Sequence, residues 1–141
     1  MNGVVTYLTF DGNCKAAMEF YNKALGGDLT MMPFGDMPGG AQQGGEAAKD
    51  RVMHSRITIK NQPVLMASDT MPGMPFHPGN NFSVSVGCDS MEEIQRLFKA
   101  IEEGGSVTMP LQDQFWGAHF GMLRDKFGIH WMFNYDQPKK G

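Results

Sequence analysis

The chain has 141 residues, 41% hydrophobic and 19% charged, which predicts one compact domain or two half-size modules and excludes a disordered chain or a coiled coil. No apolar run reaches the roughly 18 residues of a membrane span, and a net charge of −3 argues against a nucleic-acid partner. Two cysteines and no basic segment before the first apolar stretch exclude a disulfide scaffold and disfavour a secretory signal, so we expect a cytoplasmic protein with no membrane partner.

The first third of the chain predicts a strand, a helix and a second strand. Residues 4–10 are rich in β-branched and aromatic side chains and precede an Asp-Gly turn, which is typical of a strand. Asn13 is placed to cap the helix that follows, and Gly26-Gly27 marks its end. Residues 28–34 then predict the second strand.

A glycine-rich loop, residues 35–50, separates these elements from a hairpin. The loop has no periodicity, which is typical of a mobile segment, although long loops in compact domains also carry function. Residues 51–60 alternate, with His54 and Arg56 on one side. A turn leads to residues 63–69, so the two segments predict a hairpin.

The same order of elements returns after a Pro- and Gly-rich linker, residues 70–81. The second series is a strand, a helix, a strand and a hairpin, at residues 82–88, 91–103, 106–111 and 115–135. Sliding the sequence by 78 residues places Phe20 on Phe98, and sliding it by 66 residues places Met66 on Met132. An internal repeat of this kind is strong evidence for a duplicated unit.

The repeat predicts an α+β fold of two tandem β-α-β-β-β modules, residues 4–69 and 82–135. Each module supplies one helix to a four-stranded sheet, so the other face of each sheet remains uncovered. We therefore expect curved mixed sheets around a cleft, and a ligand within that cleft.

The pattern resembles the vicinal oxygen chelate (glyoxalase/bleomycin resistance/dioxygenase) superfamily, and within it the PhnB-like branch. The matching segments are residues 7–29, 65–69 and 102–134, the last with the run WG-x-x-FG-x-x-x-D-x-FG-x-x-W. The resemblance implies a single PhnB-like domain over residues 1–141 with a glyoxalase-like fold, in a homodimer. Some relatives are called demethylubiquinone methyltransferases, but the chain lacks the glycine-rich strand-to-helix turn that binds a methyl donor, so we do not expect methyl transfer.

The resemblance also implies where a metal would bind. Catalytic relatives hold one divalent ion with His, Glu or Gln side chains from the first and last strand of each module. The corresponding positions here fall near Val5 or Thr6, Met66, Phe82 or Ser83, and Met132. None is a histidine or a carboxylate, and a thioether is a poor ligand for a hard divalent ion. We therefore expect no metal at the inherited position and no cofactor.

Eight residues are candidates for ligand binding: His54, Met66, Asp69, Trp116, His119, Phe120, Trp131 and Met132. The aromatic and methionine side chains suit a pocket for a planar or lipophilic molecule, or else ordinary core or interface packing. A strand histidine is either a ligand or a hydrogen-bonded structural residue. Asp69 and Arg124-Asp125 are charged groups for a cavity rim, or members of solvated salt bridges.

Two functional hypotheses remain open. The first is a non-catalytic homodimer that binds a small apolar or aromatic organic molecule in its cleft. The second is a metal-dependent lyase, isomerase or dioxygenase with a divalent metal held by ligands from His54, Asp69, His119 or Glu46, which rests on fold analogy alone. Whether the protein is an enzyme is not decided by the sequence.

Overall fold

A computed structural model describes residues 1–36 and 48–138, so Glu46 and most of the predicted 35–50 loop lie outside the described residues. The helices and strands, in chain order, are β1 (Tyr7–Phe10), α1 (Cys14–Leu25), β2 (Asp28–Pro33), β3 (Val52–Ile59), β4 (Gln62–Asp69), β5 (Val84–Gly87), α2 (Met91–Glu102), β6 (Ser106–Asp113), β7 (Ala118–Arg124) and β8 (His130–Asp136). No helix in these two ranges is both long and apolar enough to cross a membrane.

The strands form two four-stranded mixed sheets with the same topology. The first has the order β1-β4-β3-β2 and the second β5-β8-β7-β6, and in each the first strand is parallel to its neighbour while the other pairs are antiparallel. The predicted α+β fold of two tandem β-α-β-β-β modules is thus confirmed. The chain divides into two compact units, Met1–His77 and Pro78–Gly141, with the boundary inside the predicted linker.

In the first unit, α1 packs on one face of its sheet, against β2, β3 and β4. Residues at helical spacing on α1 are fully buried, among them Ala17, Met18 and Tyr21. Gly26 ends the helix in the left-handed conformation, φ +72°, as predicted. Asn13 occupies the predicted cap position, but its side chain makes no capping hydrogen bond. The prediction of a side-chain cap is therefore wrong.

In the second unit, α2 packs against β6, β7 and β8. Its N-terminus is capped by Ser90, which accepts the Glu93 backbone N–H at 3.0 Å, and the Glu93 carboxylate accepts the N–H of Asp89, the residue before the cap, at 2.9 Å. The Phe98 ring of α2 meets Phe133 of β8 edge to face, with centroids 5.4 Å apart. These contacts form the core of the unit between α2 and the helix-facing side of its sheet.

Each sheet therefore has a second face that its own helix does not cover, here called the helix-free face. In β7 the helix-facing positions include Gly121, where a Cβ atom would meet the Phe98 ring at 2.9 Å. Because strand side chains alternate, Phe120, Met122 and Arg124 lie on the helix-free face. The candidate functional groups divide between these two faces.

Candidate functional site

A row of three methionines crosses the helix-free face of the second sheet. The strand register pairs Met109 of β6 with Met122 of β7, and Met122 with Met132 of β8. Residues directly opposite each other on neighbouring strands point to the same face with Cβ atoms about 5 Å apart. All three are half-buried, so this methionine row forms a continuous band of flexible, polarizable apolar groups.

An aromatic cluster stands beside the methionine row. Trp116, in the turn before β7, meets Phe115 with ring centroids 5.2 Å apart and Phe120 with centroids 6.0 Å apart. Phe115 is 98% exposed and Trp116 is 54% exposed. Phe120 lies two residues before Met122 on β7, so it joins these two exposed rings to the face that carries the methionine row. Large aromatic rings exposed in this way are typical of a surface that contacts another molecule.

The first sheet has a more polar helix-free face. Met66 of β4 lies there between Tyr7 of β1 and Arg56 of β3. The Tyr7 ring reaches across β4 and stacks on His54, with centroids 5.8 Å apart, and the Tyr7 hydroxyl hydrogen-bonds His54 Nδ1 at 3.1 Å. The predicted common face of His54 and Arg56 is confirmed, because the next residue, Ser55, is buried towards Cys14 of α1.

The observed register tests whether the inherited positions fit a metal. It sets Tyr7 beside Met66 and Ser85 beside Met132, while Val5, Thr6, Phe82 and Ser83 precede the first strand of their module. A phenol, a hydroxyl and two thioethers do not form a donor set for a hard divalent ion. Within residues 1–36 and 48–138, no group of three or more His, Cys, Asp or Glu side chains is placed to hold a metal.

Asp69 is a buried structural carboxylate. It is only 5% exposed and lies on the helix-facing side of β4 with Leu65 and Ala67, opposite to His54. One oxygen accepts the backbone N–H groups of Gly12 at 2.8 Å and Cys14 at 3.0 Å, and the other accepts that of Val52 at 2.9 Å. Asp69 therefore joins the start of α1 to β3 and does not lie on a cavity rim.

Two other candidates also lie away from the methionine row. Trp131 is 1% exposed, stacks on Phe133 in the core and donates its indole N–H to Asp125 at 2.8 Å. His119 alternates with Phe120 along β7 and hydrogen-bonds Asp113 through Nδ1 at 2.8 Å. Of the eight candidates, the structure brings together Trp116, Phe120 and Met132 on one unit, and His54 and Met66 on the other.

The two cysteines have the character of unreactive thiols. Burial raises the pKa of Cys14 to about 11, although its contact with the Ser55 hydroxyl at 3.6 Å opposes that shift. Burial likewise raises the pKa of Cys88 to about 11, with the nearby carboxylates of Glu93 and Asp89 acting in the same direction. Neither thiol is therefore an activated nucleophile.

Sequence reasoning missed Tyr7, Met109 and Met122 as members of the two helix-free faces. The alternation of β7 could have indicated Met122, since it lies two residues from Phe120. Met109 carried no such signal, because the β6–β7 register shifts on both sides of the Met109–Met122 pair. The Tyr7–His54 contact joins residues 47 positions apart, which no local pattern reveals.

Comparison with known proteins gives close matches over nearly the whole chain. The family model described as 3-demethylubiquinone-9 3-methyltransferase matches residues 2–133. Protein YjdN of Escherichia coli is 34% identical over 137 residues, which cover 91% of each chain. The crystal structure of protein PA1353 from Pseudomonas aeruginosa is 46% identical with a TM-score of 0.84, and the match covers 96% of this chain and 98% of that one.

Two further solved structures have a similar fold. A PhnB protein from Bacillus cereus is 25% identical with a TM-score of 0.74, covering 94% of this chain and 98% of that one. A glyoxylase/bleomycin resistance protein/dioxygenase domain from Frankia is 13% identical with a TM-score of 0.66, covering 99% and 96%. The second likeness is one of fold alone.

Proposed function

The chain belongs to the family described as 3-demethylubiquinone-9 3-methyltransferase, the PhnB-like branch of the vicinal oxygen chelate superfamily, and we propose that it binds a small, largely apolar organic molecule on the helix-free face of its second sheet. The observation that carries this proposal is the methionine row, Met109, Met122 and Met132, flanked by the aromatic cluster. Thioether side chains adapt their shape to a guest, and exposed aromatic rings stack on planar groups.

The side chains at the positions that would hold a metal favour binding of an organic molecule over binding of a cation. The resemblance to the vicinal oxygen chelate superfamily implies that catalytic relatives carry metal ligands at the positions of Met66 and Met132. A thioether at these positions fills space with an apolar group and does not neutralise a hard cation. The face therefore gains affinity from removing carbon surface from water, at about 25 cal/mol per Å² of apolar area.

Methyl transfer, which the family description names, is not part of the proposal. The backbone amides at the start of α1, the place where a doubly wound fold binds its cofactor, donate instead to Asp69. At the start of α2 the Asp89 and Glu93 amides donate to the Glu93 and Ser90 side chains. Each sheet has four strands with a single parallel pair, unlike a doubly wound sheet.

A neutral aromatic probe tests the proposal. Naphthylethanol should raise the melting temperature of the protein, because binding to the native state alone stabilises it. It should also change the fluorescence of Trp116, which is exposed, while Trp131 is buried. Replacing Met122 with Gln keeps a side chain of similar length but adds polar atoms to the apolar row, and should weaken binding about tenfold.

Met74→Gln is the matched control, since Met74 is an exposed methionine in the linker. It should leave the affinity for naphthylethanol unchanged. A protein that shows no stabilisation by naphthylethanol, or that loses affinity equally through Met122→Gln and Met74→Gln, would contradict the proposal.

A further inference from the structure

The methionine row ends next to a pair of nitrogen-bearing side chains. Arg124 of β7 and His130 of β8 lie directly opposite each other in the antiparallel register. Arg124 is two residues beyond Met122 on its strand, and His130 is two residues before Met132. Both therefore lie on the helix-free face, about 7 Å along the strands from the methionines.

Among the residues that the structure describes, no hydrogen bond or ion pair involves the Arg124 guanidinium or the His130 ring. The adjacent carboxylate, Asp125, is turned inward, where it accepts the backbone N–H groups of Phe127 and Ile129 and the indole N–H of Trp131. A guanidinium without a carboxylate partner is available to an anion from solution.

A groove surrounds the two side chains. It has a volume of about 480 Å³ and is lined by Arg124, Gly128, His130 and the linker residues Pro78, Gly79 and Asn80, all in the second unit. Gly128 has a positive φ of +89°, and a Cβ there would lie 3.4 Å from Arg124 Nη2. That distance is an ordinary contact, so the turn lies directly against the guanidinium, and the groove is of the size that holds small organic ligands.

We propose that this groove holds the oxyanion head group, carboxylate or phosphate, of the organic molecule whose apolar body lies on the methionine row. This inference rests on the proposed function and specifies its ligand as an organic anion. The Arg124 fork matches the two oxygens of a carboxylate or phosphate, and His130 supplies a further hydrogen bond.

The test compares head groups on one apolar body. Calorimetric titration with naphthylacetate, naphthylmethyl phosphate and neutral naphthylethanol should show at least one anion binding about tenfold more tightly than the alcohol. The tighter of the two anions identifies the head group. Arg124→Gln should remove this preference while leaving the affinity for naphthylethanol within about twofold.

Lys99→Gln provides the control, because Lys99 is an exposed cation on α2 of the same unit and its loss changes the net charge equally. It should leave the preference for the anion intact. If the wild-type protein binds the alcohol and both anions equally, or if Lys99→Gln removes the preference as fully as Arg124→Gln, the anion groove is refuted while the apolar face stands. If none of the three compounds binds, the proposed function fails and the groove assignment falls with it.

Discussion

Two buried aspartates show how single residues are committed to the fold rather than to a ligand. Asp69 in the first unit and Asp125 in the second each accept three hydrogen bonds from groups of their own unit. Burying a carboxylate is costly unless such donors replace water. Their burial and partners explain why neither contributes a free charge to the candidate site.

Replacing Asp69 with Asn should lower the free energy of unfolding by about 2–4 kcal/mol. The asparagine amide keeps one acceptor oxygen, but its NH₂ group cannot accept a hydrogen bond from the backbone N–H that it would face. At least one buried N–H group is therefore left without a partner. Urea denaturation measures the change. Asp11→Asn is the control, because Asp11 is exposed and pairs with Arg51 at 2.9 Å, and its effect should be much smaller. Equal losses for both variants would show that Asp69 has no special structural role.

The thiols of Cys14 and Cys88 should resist alkylation in the native state. A thiol with its pKa near 11 rather than 9 contains about 100-fold less thiolate at pH 8. Iodoacetamide should therefore react at least about 100-fold more slowly with the folded protein than with the urea-unfolded protein. Since the unfolded thiols lose their protons first, the free energy of unfolding should also fall as pH rises from about 9 to about 11. Native thiols that react at the unfolded rate would contradict this account.

Contacts between residues distant in sequence were the hardest to predict. Nothing near Asp69 indicates that it binds amides of residues 12, 14 and 52, and nothing near Tyr7 indicates His54. By contrast, the hairpin predicted over residues 115–135 is present as β7 and β8, and Gly128 supplies the positive φ that its turn needs. Local backbone chemistry is readable from sequence, whereas long-range side-chain pairing requires the register.

At the scale of elements, each module has a glycine at the equivalent position just after its helix. Gly27 follows α1 and Gly105 follows α2, 78 residues later. A Cβ at Gly27 would lie 2.8 Å from the Thr58 carbonyl oxygen, and one at Gly105 would overlap the carbonyl oxygen of Arg124. Each glycine therefore permits the chain leaving the helix to pass close to a strand backbone.

Gly27→Ala and Gly105→Ala should each destabilise their unit by about 1–3 kcal/mol or more, because the added methyl group meets backbone that cannot move aside cheaply. Gly87→Ala is the control, since no atom lies within 4 Å of a Cβ at that position, and it should be neutral within about 0.5 kcal/mol. Thermal unfolding measures all three. A neutral Gly105→Ala variant would mean that β7 does not approach this residue as described.

The order of the elements was predictable, whereas their exact ends were not. Hydrophobic periodicity and glycine stops gave both helices and all eight strands. The first strand, predicted from residue 4, begins at Tyr7 because its ladder begins where β4 offers a partner, at Met66. Strand ends depend on the neighbouring strand, which single-sequence patterns do not contain.

For the whole molecule, we expect a homodimer. The first sheet exposes Tyr7 and Met32, the second exposes Val107, and Phe82 is exposed just before β5. A chain of this length has few further segments that could pack over these side chains, and association of two copies would remove them from water. Sedimentation equilibrium at micromolar concentration should give twice the mass of the 15.6 kDa chain, and a single species of 15.6 kDa would refute the expectation.

The central claim is that the methionine row is where an organic ligand binds, and the methionine methyl groups report this directly. In protein labelled with carbon-13 at the methionine ε-methyl, naphthylethanol should shift the resonances of Met109, Met122 and Met132. The resonance of Met18, fully buried in the core of the other unit, should stay in place. Shifts at Met18 or Met74 as large as those of the methionine row, or no shifts at any methionine, would contradict the account.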